Sequence, residues 1–200
     1  MSRTTSFASR RLQCICLTFS LFLLFALSSL SHSSMKFESL VSLPSPKQAW
    51  DYVADLNHMW TTNPGLIDFT IQSSGGSHPV WEYDVLLNER LSPYGILART
   101  AHYVVEPADA ASFRITTTAS FCKFHLLCAS TKSVTTFAAP HARSGGTQLR
   151  DTFTVSMTPL LAWLYGHEAL QLHHRGMLDR IVGQLEKGKR DSPGMPAVRM

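Results

Sequence analysis

The chain has 200 residues, of which 44% are hydrophobic and 16% are charged. That length and composition suit one globular domain with its own core and exclude an intrinsically disordered chain. The net charge of +4 does not indicate a nucleic-acid-binding protein, because residues 1–34 carry three arginines and no acidic residue. The remaining 15 basic side chains face 14 acidic ones, and a nearly neutral domain is a poor partner for phosphates.

Residues 1–34 form a leader with a basic start, an apolar centre and a finish rich in small residues. No charged residue occurs between Leu12 and Met35, and the apolar centre is near the length of about 7–15 residues that is usual in signal peptides. A membrane-spanning helix needs about 20 apolar residues, which 12–30 supplies only if several polar residues are counted. A cleaved signal peptide, a membrane anchor and an unstructured extension before a start at Met35 all stay open. The first two predict a secreted or membrane-anchored protein of the secretory pathway, and the third predicts a cytoplasmic one.

The domain is predicted to open with a strand and two short helices. Residues 36–43 alternate between apolar and polar side chains, as a half-buried strand does. A helix follows, with Ser45 as its N-cap, Pro46 in its first turn and Gln48 completing a capping box. A second short helix is predicted over 57–62, before an Asn-Pro-Gly turn.

About six strand-like segments follow between residues 67 and 157, separated by turns rich in glycine, proline and serine. The assignment of 122–131 is ambiguous. A disulfide between Cys122 and Cys128 would need a tight hairpin that the residues between them do not signal, so we expect two free, half-buried thiols. No zinc-site spacing accompanies these cysteines.

The C-terminal part has a helical hydrophobic period and no proline from Leu160 to about Lys187, which predicts one long helix. One stripe of this helix carries Leu161, Leu164, Glu168, Leu172, Arg175 and Leu178, and this stripe is flanked by Leu170, His174, Ile181 and Leu185. Residues 189–200 are predicted to be a disordered tail. One strand, two short helices, several strands and a terminal helix predict an α+β domain in which helices cover one face of an antiparallel sheet.

These patterns resemble the START-like, or Bet v 1-like (SRPBCC), superfamily, and most of all its polyketide cyclase/dehydrase-like group. The matching pieces are VSLPSPKQAWDYVAD at 41–55, the turn at 63–65, Gly-Gly-Thr at 145–147 and the long closing helix. The resemblance spans 36–188 and implies a helix-grip fold, in which a curved antiparallel sheet of about seven strands wraps around the C-terminal helix and encloses an apolar cavity. Members bind lipids, sterols, polyketides or other hydrophobic ligands, and some are enzymes. The group has no universal catalytic motif, so no catalytic residue is assigned.

The predicted cavity lining combines apolar side chains with three charged ones. The predicted ligand-binding residues are Phe69, Trp81, Tyr83, Phe113, Ile115, Asp151, Phe153, Leu164, Glu168, Leu172 and Arg175. Asp151, Glu168 and Arg175 lie on faces that are otherwise apolar, so they could converge to orient a ligand or to transfer protons. The alternative is that each of them faces water, as most charged residues do. Trp60 is a candidate gate at the cavity mouth or a surface-packed tryptophan.

Three functions follow from this assignment: binding or transport of a small hydrophobic ligand, a cyclase/dehydratase-type enzyme, or a membrane-tethered adaptor without a ligand. The enzyme would use Glu168 and Asp151 as acid and base, with Arg175 stabilising an anion. No cofactor is expected, because no dinucleotide or nucleotide-binding motif is present. No metal is expected either, because the three histidines at 167, 173 and 174 lack ligand spacing. The predicted division is a leader over 1–34, a ligand-binding domain over 35–188 and the tail. If the leader is retained, residues 12–30 are the segment that would associate with a membrane. The sequence does not predict an oligomeric state.

Overall fold

A computed structural model of the chain describes residues 17, 18, 20, 31–41, 45–91, 95–123, 127–140 and 146–191. Its strands are β1 (Ser31–Val41), β2 (Leu66–Ser77), β3 (Val80–Leu91), β4 (Gly95–Pro107), β5 (Phe113–Lys123), β6 (Leu127–Ala138) and β7 (Thr147–Met157). Its helices are α1 (Pro46–Ala54), a 3-10 turn (Leu56–His58), α2 (Met59–Thr62), α3 (Pro159–Tyr165) and α4 (Glu168–Asp191). Most of the predicted leader and all but the first three residues of the predicted tail lie outside these ranges.

The seven strands form one antiparallel sheet in the order β1-β7-β6-β5-β4-β3-β2. Strands β2 to β7 are neighbours in chain order, whereas β1 joins the sheet at the far edge beside β7. The long helix α4 packs against β1, β7, α1 and α2. The predicted α+β, helix-grip fold is therefore confirmed.

The strand register places odd-numbered residues on the inner face, which α4 and α1 cover. One cross-strand row on this face runs from Phe37 through Asp151, Thr135, Ile115 and Val105 to Trp81. Leu178, Ile181 and Leu185 of α4 pack on this face together with Trp50 of α1. Burial of these apolar side chains, roughly 1.5–3 kcal/mol for each large one, joins the helices to the sheet.

Helix α1 begins where the sequence predicts, with Ser45 as N-cap and Pro46 in the first turn. The serine side chain makes no capping bond; its carbonyl instead accepts the backbone N–H of Gln48 (3.1 Å) and of Ala49 (3.3 Å). Trp50 is 5% exposed, and its ring stacks on that of Phe113 with centroids 4.9 Å apart. The corner between β1 and α1 therefore depends on main-chain bonding and on an aromatic anchor.

Strand β1 begins at Ser31, four residues before the predicted domain start at Met35. The first residues of β1 are hydrogen-bonded both to the neighbouring strand β7 and to helix α4. His32 Nδ1 is hydrogen-bonded to Ser156 Oγ (2.7 Å), and Gln171 Nε2 of α4 donates to Ser33 Oγ (2.9 Å). A chain translated from Met35 would lack these contacts.

The expectation of two free thiols is wrong, because Cys122 and Cys128 form a disulfide with an S–S distance of 2.10 Å. The two residues are direct cross-strand partners in the β5–β6 pair, with Cα atoms 4.1 Å apart. The ambiguous stretch 122–131 is thus the end of β5, a short connection and the start of β6. The sequence of the connection carries none of the usual hairpin residues, which is why the pairing is missed.

The prediction of one continuous helix from 160 to 187 is also wrong. Helix α3 ends at Tyr165 and is capped by Gly166, whose φ of +68° lies in the left-handed region that glycine enters without strain. The backbone N–H of Gly166 donates to Ala162 O at 2.8 Å, and α4 starts afresh at Glu168.

Within the described ranges, no helix combines the length and hydropathy that crossing a bilayer requires.

Candidate functional site

The structure brings together seven of the eleven predicted ligand-binding residues on the inner face of the sheet. They are Phe69, Trp81, Tyr83, Phe113, Ile115, Asp151 and Phe153. Ile115, Asp151 and Phe153 are buried, and the other four are half-buried. Whether they contact a ligand stays a prediction.

The four predicted helix residues are all exposed: Leu164 (47%), Leu172 (74%), Glu168 and Arg175. The chain leaves the helical conformation between α3 and α4, at Gly166. A helical period counted from α3 therefore does not predict which residues of α4 are buried. The buried face of α4 carries Leu170, His174, Leu178, Ile181 and Leu185. Of these, only Leu178 belongs to the predicted stripe, and the other four are the residues predicted to flank it. The predicted convergence of Glu168 and Arg175 with Asp151 therefore does not occur.

Asp151 instead lies at the centre of a buried polar cluster on the inner face. The carboxylate belongs to a residue only 2% exposed. Its Oδ1 accepts hydrogen bonds from Ser133 Oγ (2.6 Å) and Thr135 Oγ1 (2.7 Å), and its Oδ2 accepts one from His174 Nε2 (2.9 Å). We call these four residues the Asp151 cluster. A carboxylate hydrogen-bonded to an imidazole can hold the ring in a fixed orientation and support proton transfer at it.

The position of His174 depends on packing as well as on this hydrogen bond. Its ring stacks on Phe153 with centroids 4.0 Å apart and an interplanar angle of 8°. His174 is absent from the predicted site residues, although its spacing from Leu170 and Leu178 marks one helix face. Ser133 and Thr135 are absent too, although they lie on the same face of β6 as buried Phe137.

A second buried polar cluster lies towards the other edge of the sheet. Glu89 of β3 is fully buried; it accepts hydrogen bonds from Asn63 Nδ2 and from Arg99 Nε. We call Glu89, Asn63 and Arg99 the Glu89 cluster. Burial raises the pKa of nearby Tyr103 to about 12, with Glu89 adding to the rise and Arg99 opposing it. The phenol therefore stays protonated and able to donate a hydrogen bond.

His173 sits beside His174 on α4 but faces the Glu89 cluster. Its Nε2 is buried and has no hydrogen-bond partner among the described residues. Burial lowers the pKa of His173; the charges of Arg99 and His174 lower it further and Glu89 opposes the change. Neighbouring histidines of one helix thus approach two separate carboxylates.

The titration of His173 is expected to make stability depend on pH. Its pKa is 6.5 in the unfolded chain and lower in the folded one, so the unfolded chain binds more protons as the pH falls. The free energy of unfolding therefore decreases as the pH falls from 6.5 towards the lowered pKa of the folded chain, by at most about 1.4 kcal/mol per pH unit. His173→Gln should flatten this decline in urea-unfolding titrations between about pH 7 and 5. The control Leu172→Gln, at a 74% exposed and non-titrating position of the same helix, should keep the wild-type slope, and an unchanged slope in His173→Gln would contradict the prediction.

Gly65 keeps the turn before β2 close to β3. Its carbonyl accepts the backbone N–H of Arg90 at 2.7 Å. A Cβ atom at this position would lie 2.6 Å from Arg90 O and 3.0 Å from His173 Cε1. We expect Gly65→Ala to lower the free energy of unfolding by about 1–3 kcal/mol, because the strand backbone must shift. Gly75→Ala, which meets nothing within 4 Å, is the matched control, and equal melting temperatures for the two variants would refute this account.

The outer face of the sheet carries an open groove of about 400 Å³. Its lining includes Thr100, His102, Thr118, Ser130, Lys132 and Thr154. None of the predicted ligand-binding residues lines it. Hydroxyl and basic side chains dominate this groove, so its chemistry differs from that of the inner face.

Comparison with solved structures identifies the class to which this fold belongs. The Zhui aromatase/cyclase of a Streptomyces species is similar over 84% of this chain and 100% of its own, with a TM-score of 0.56 and 14% sequence identity. A START superfamily protein from Mycobacterium smegmatis matches 78% of this chain and 99% of its own, with a TM-score of 0.51 and 13% identity. The di-domain aromatase/cyclase BexL is similar at a TM-score of 0.54 and 14% identity, and the match covers 94% of this chain but 59% of BexL.

The chain therefore has the helix-grip fold of the START-like and aromatase/cyclase structures, and the resemblance seen in the sequence is confirmed for the fold. No family model matches the chain. No curated protein sequence matches it significantly.

Proposed function

We propose that the domain binds a small hydrophobic ligand, of lipid, sterol or polyketide type, between the inner face of the sheet and α4. The supporting observation is the mixture of side chains on that face. Half-buried aromatic residues, Phe69, Tyr83 and Tyr103, share it with the buried carboxylates of Asp151 and Glu89. Apolar walls with a few fixed polar groups are typical of small-molecule sites.

The polar groups would orient the ligand rather than supply most of its binding free energy. Both oxygens of Asp151 already accept hydrogen bonds, and Glu89 is held by two donors. Tyr103, whose pKa is raised to about 12 by burial, is the group best able to donate to a ligand carbonyl or hydroxyl. An amphipathic ligand with one oxygen function near Tyr103 fits this arrangement.

The test places a large side chain on the sheet side of the proposed binding site. Thr117 of β5 is half-buried on the inner face, between Tyr103 and Ser133 in the strand register. Thr117→Trp should weaken binding of 1-anilinonaphthalene-8-sulfonate to the full chain at least about tenfold, which corresponds to about 1.4 kcal/mol. The neighbouring Thr118 is exposed on the outer face, so Thr118→Trp should bind as the wild type does.

Equal binding by both variants, with circular dichroism showing both folded, would overturn the proposal. A wild-type chain that binds no probe, and carries no small molecule detectable by mass spectrometry, would favour the membrane-tethered adaptor. Mass spectrometry of the chain purified from native-like cells would also identify the ligand class directly.

The hydrogen-bonded Asp151–His174 pair favours a second candidate, an enzyme of cyclase or dehydratase type. His174 would exchange protons with the substrate while Asp151 orients the ring. A β-hydroxyketone incubated with the full chain would then lose water, as followed by mass spectrometry. His174→Gln should abolish turnover yet retain binding, and Glu168→Gln, at an exposed position, should leave turnover unchanged. Wild-type turnover at the rate of a protein-free blank would leave the binding function alone.

We also propose that the chain folds in an oxidising compartment of the secretory pathway. Two independent features support this: the leader sequence and the Cys122–Cys128 disulfide, since disulfides persist mainly outside the cytosol. Alkylation of the chain from native-like cells, before and after reduction, should show these thiols blocked until reduction. Free thiols together with an N-terminus at Met35 would place the protein in the cytoplasm instead.

A further inference from the structure

Helices α3 and α4 expose large apolar side chains beside the point where the leader joins the domain. Trp163 is 80% exposed, Leu164 47% and Leu172 74%. The opposite sides of the same helices, at Leu161 and Leu170, pack in the core. The three exposed side chains, which we call the α3–α4 surface, therefore point away from the domain.

The first residue of β1 fixes where the leader meets the domain. Ser31 pairs with Met157, the last residue of β7, and α3 follows directly. His167, between α3 and α4, donates from Nε2 to the carbonyl of Ser31 at 3.2 Å. The uncharged, largely apolar sequence at 12–30 therefore enters the fold next to the α3–α4 surface.

We propose that the α3–α4 surface contacts the interfacial region of a lipid bilayer, with the leader directed into the same bilayer. Tryptophan prefers the level of the lipid headgroups, where its ring meets hydrocarbon and its N–H meets water. Leucine side chains gain from burial at the boundary between headgroups and acyl chains. The α3–α4 surface and the leader would then be two weak membrane contacts at one end of the domain. Together they bind more tightly than either alone, because the first contact holds the second close to the bilayer.

The charges beside this surface specify the lipid. Glu168 and Arg175 are both exposed near Leu172 on α4, and their charges cancel. The surface therefore needs no anionic headgroup, and vesicles of phosphatidylcholine alone should suffice. A strongly basic surface would instead require anionic lipids.

The experiment measures which tryptophan the lipid reaches. The full chain is mixed with phosphatidylcholine vesicles whose acyl chains carry bromine, which quenches tryptophan emission on contact. We expect quenching in the wild type and loss of most of it in Trp163→Phe, a change at an 80% exposed position outside the core. The matched control is Trp50→Phe, because Trp50 is only 5% exposed and packs against other aromatic rings in the core, so lipid cannot reach it and this variant should retain the quenching.

Three results would overturn the proposal. The wild type could fail to float with the vesicles, or Trp163→Phe could be quenched as strongly as the wild type. Trp163 could also be shielded from both brominated lipid and aqueous acrylamide, which would mean that the leader or a second copy of the chain covers the surface. The monomer content measured by light scattering would then separate those two occupants.

Discussion

Replacing Glu89 with leucine is expected to lower the free energy of unfolding by about 3–5 kcal/mol. The carboxylate is fully buried and accepts hydrogen bonds from Asn63 and Arg99. Leucine leaves the Arg99 guanidinium, whose side chain is only 16% exposed, without its counter-charge in the interior. Urea unfolding of the full chain, followed by circular dichroism, measures the loss.

The matched variant removes both charges together. Glu89→Leu/Arg99→Met should recover much of the stability that Glu89→Leu loses, because a buried ion pair can be replaced by apolar side chains of similar volume at little cost. If the double variant were less stable than Glu89→Leu, the guanidinium would not be the source of the loss. A loss below about 1 kcal/mol for Glu89→Leu would contradict the assignment of a buried ion pair.

Asp151→Leu is expected to cost a similar amount, about 3–5 kcal/mol, because three donors lose their acceptor at once. Ser133, Thr135 and His174 would stay buried with their hydrogen bonds unmade. The neighbouring Thr152 points to the outer face and is exposed, so Thr152→Leu should change stability by no more than about 0.5 kcal/mol. Similar thermal unfolding of the two variants would show that the Asp151 cluster does not hold the fold together.

Much of the fold is predictable because it follows from local periodicity. Alternation along β3 and β7 gives the strands and their inner faces, as at Tyr83 and Asp151, and the Ser-Pro start gives α1 at its observed position. The seven predicted site residues that meet on the sheet are all strand residues, for which parity alone decides the face.

The errors arise where one residue or one long-range contact decides the structure. Gly166 interrupts the helix, so Glu168, Leu172 and Arg175, which are counted through it from α3, are assigned to the wrong side of α4. The partners of Glu89 lie 26 and 10 residues away, and no local pattern links such distant positions. The disulfide depends in the same way on the β5–β6 register, which a sequence without turn signals does not specify.

The placement of β1 also has a mechanical consequence. This strand is paired with β7 along all eleven of its residues, from Ser31 to Val41. Its hydrogen bonds run perpendicular to the strand, so tension applied to the leader and directed along β1 would load them in shear, many at once rather than one by one. If the leader is held in a membrane, the domain is tethered through a strand whose hydrogen bonds share the load, so force-spectroscopy pulling from residue 31 along β1 should meet a high rupture force.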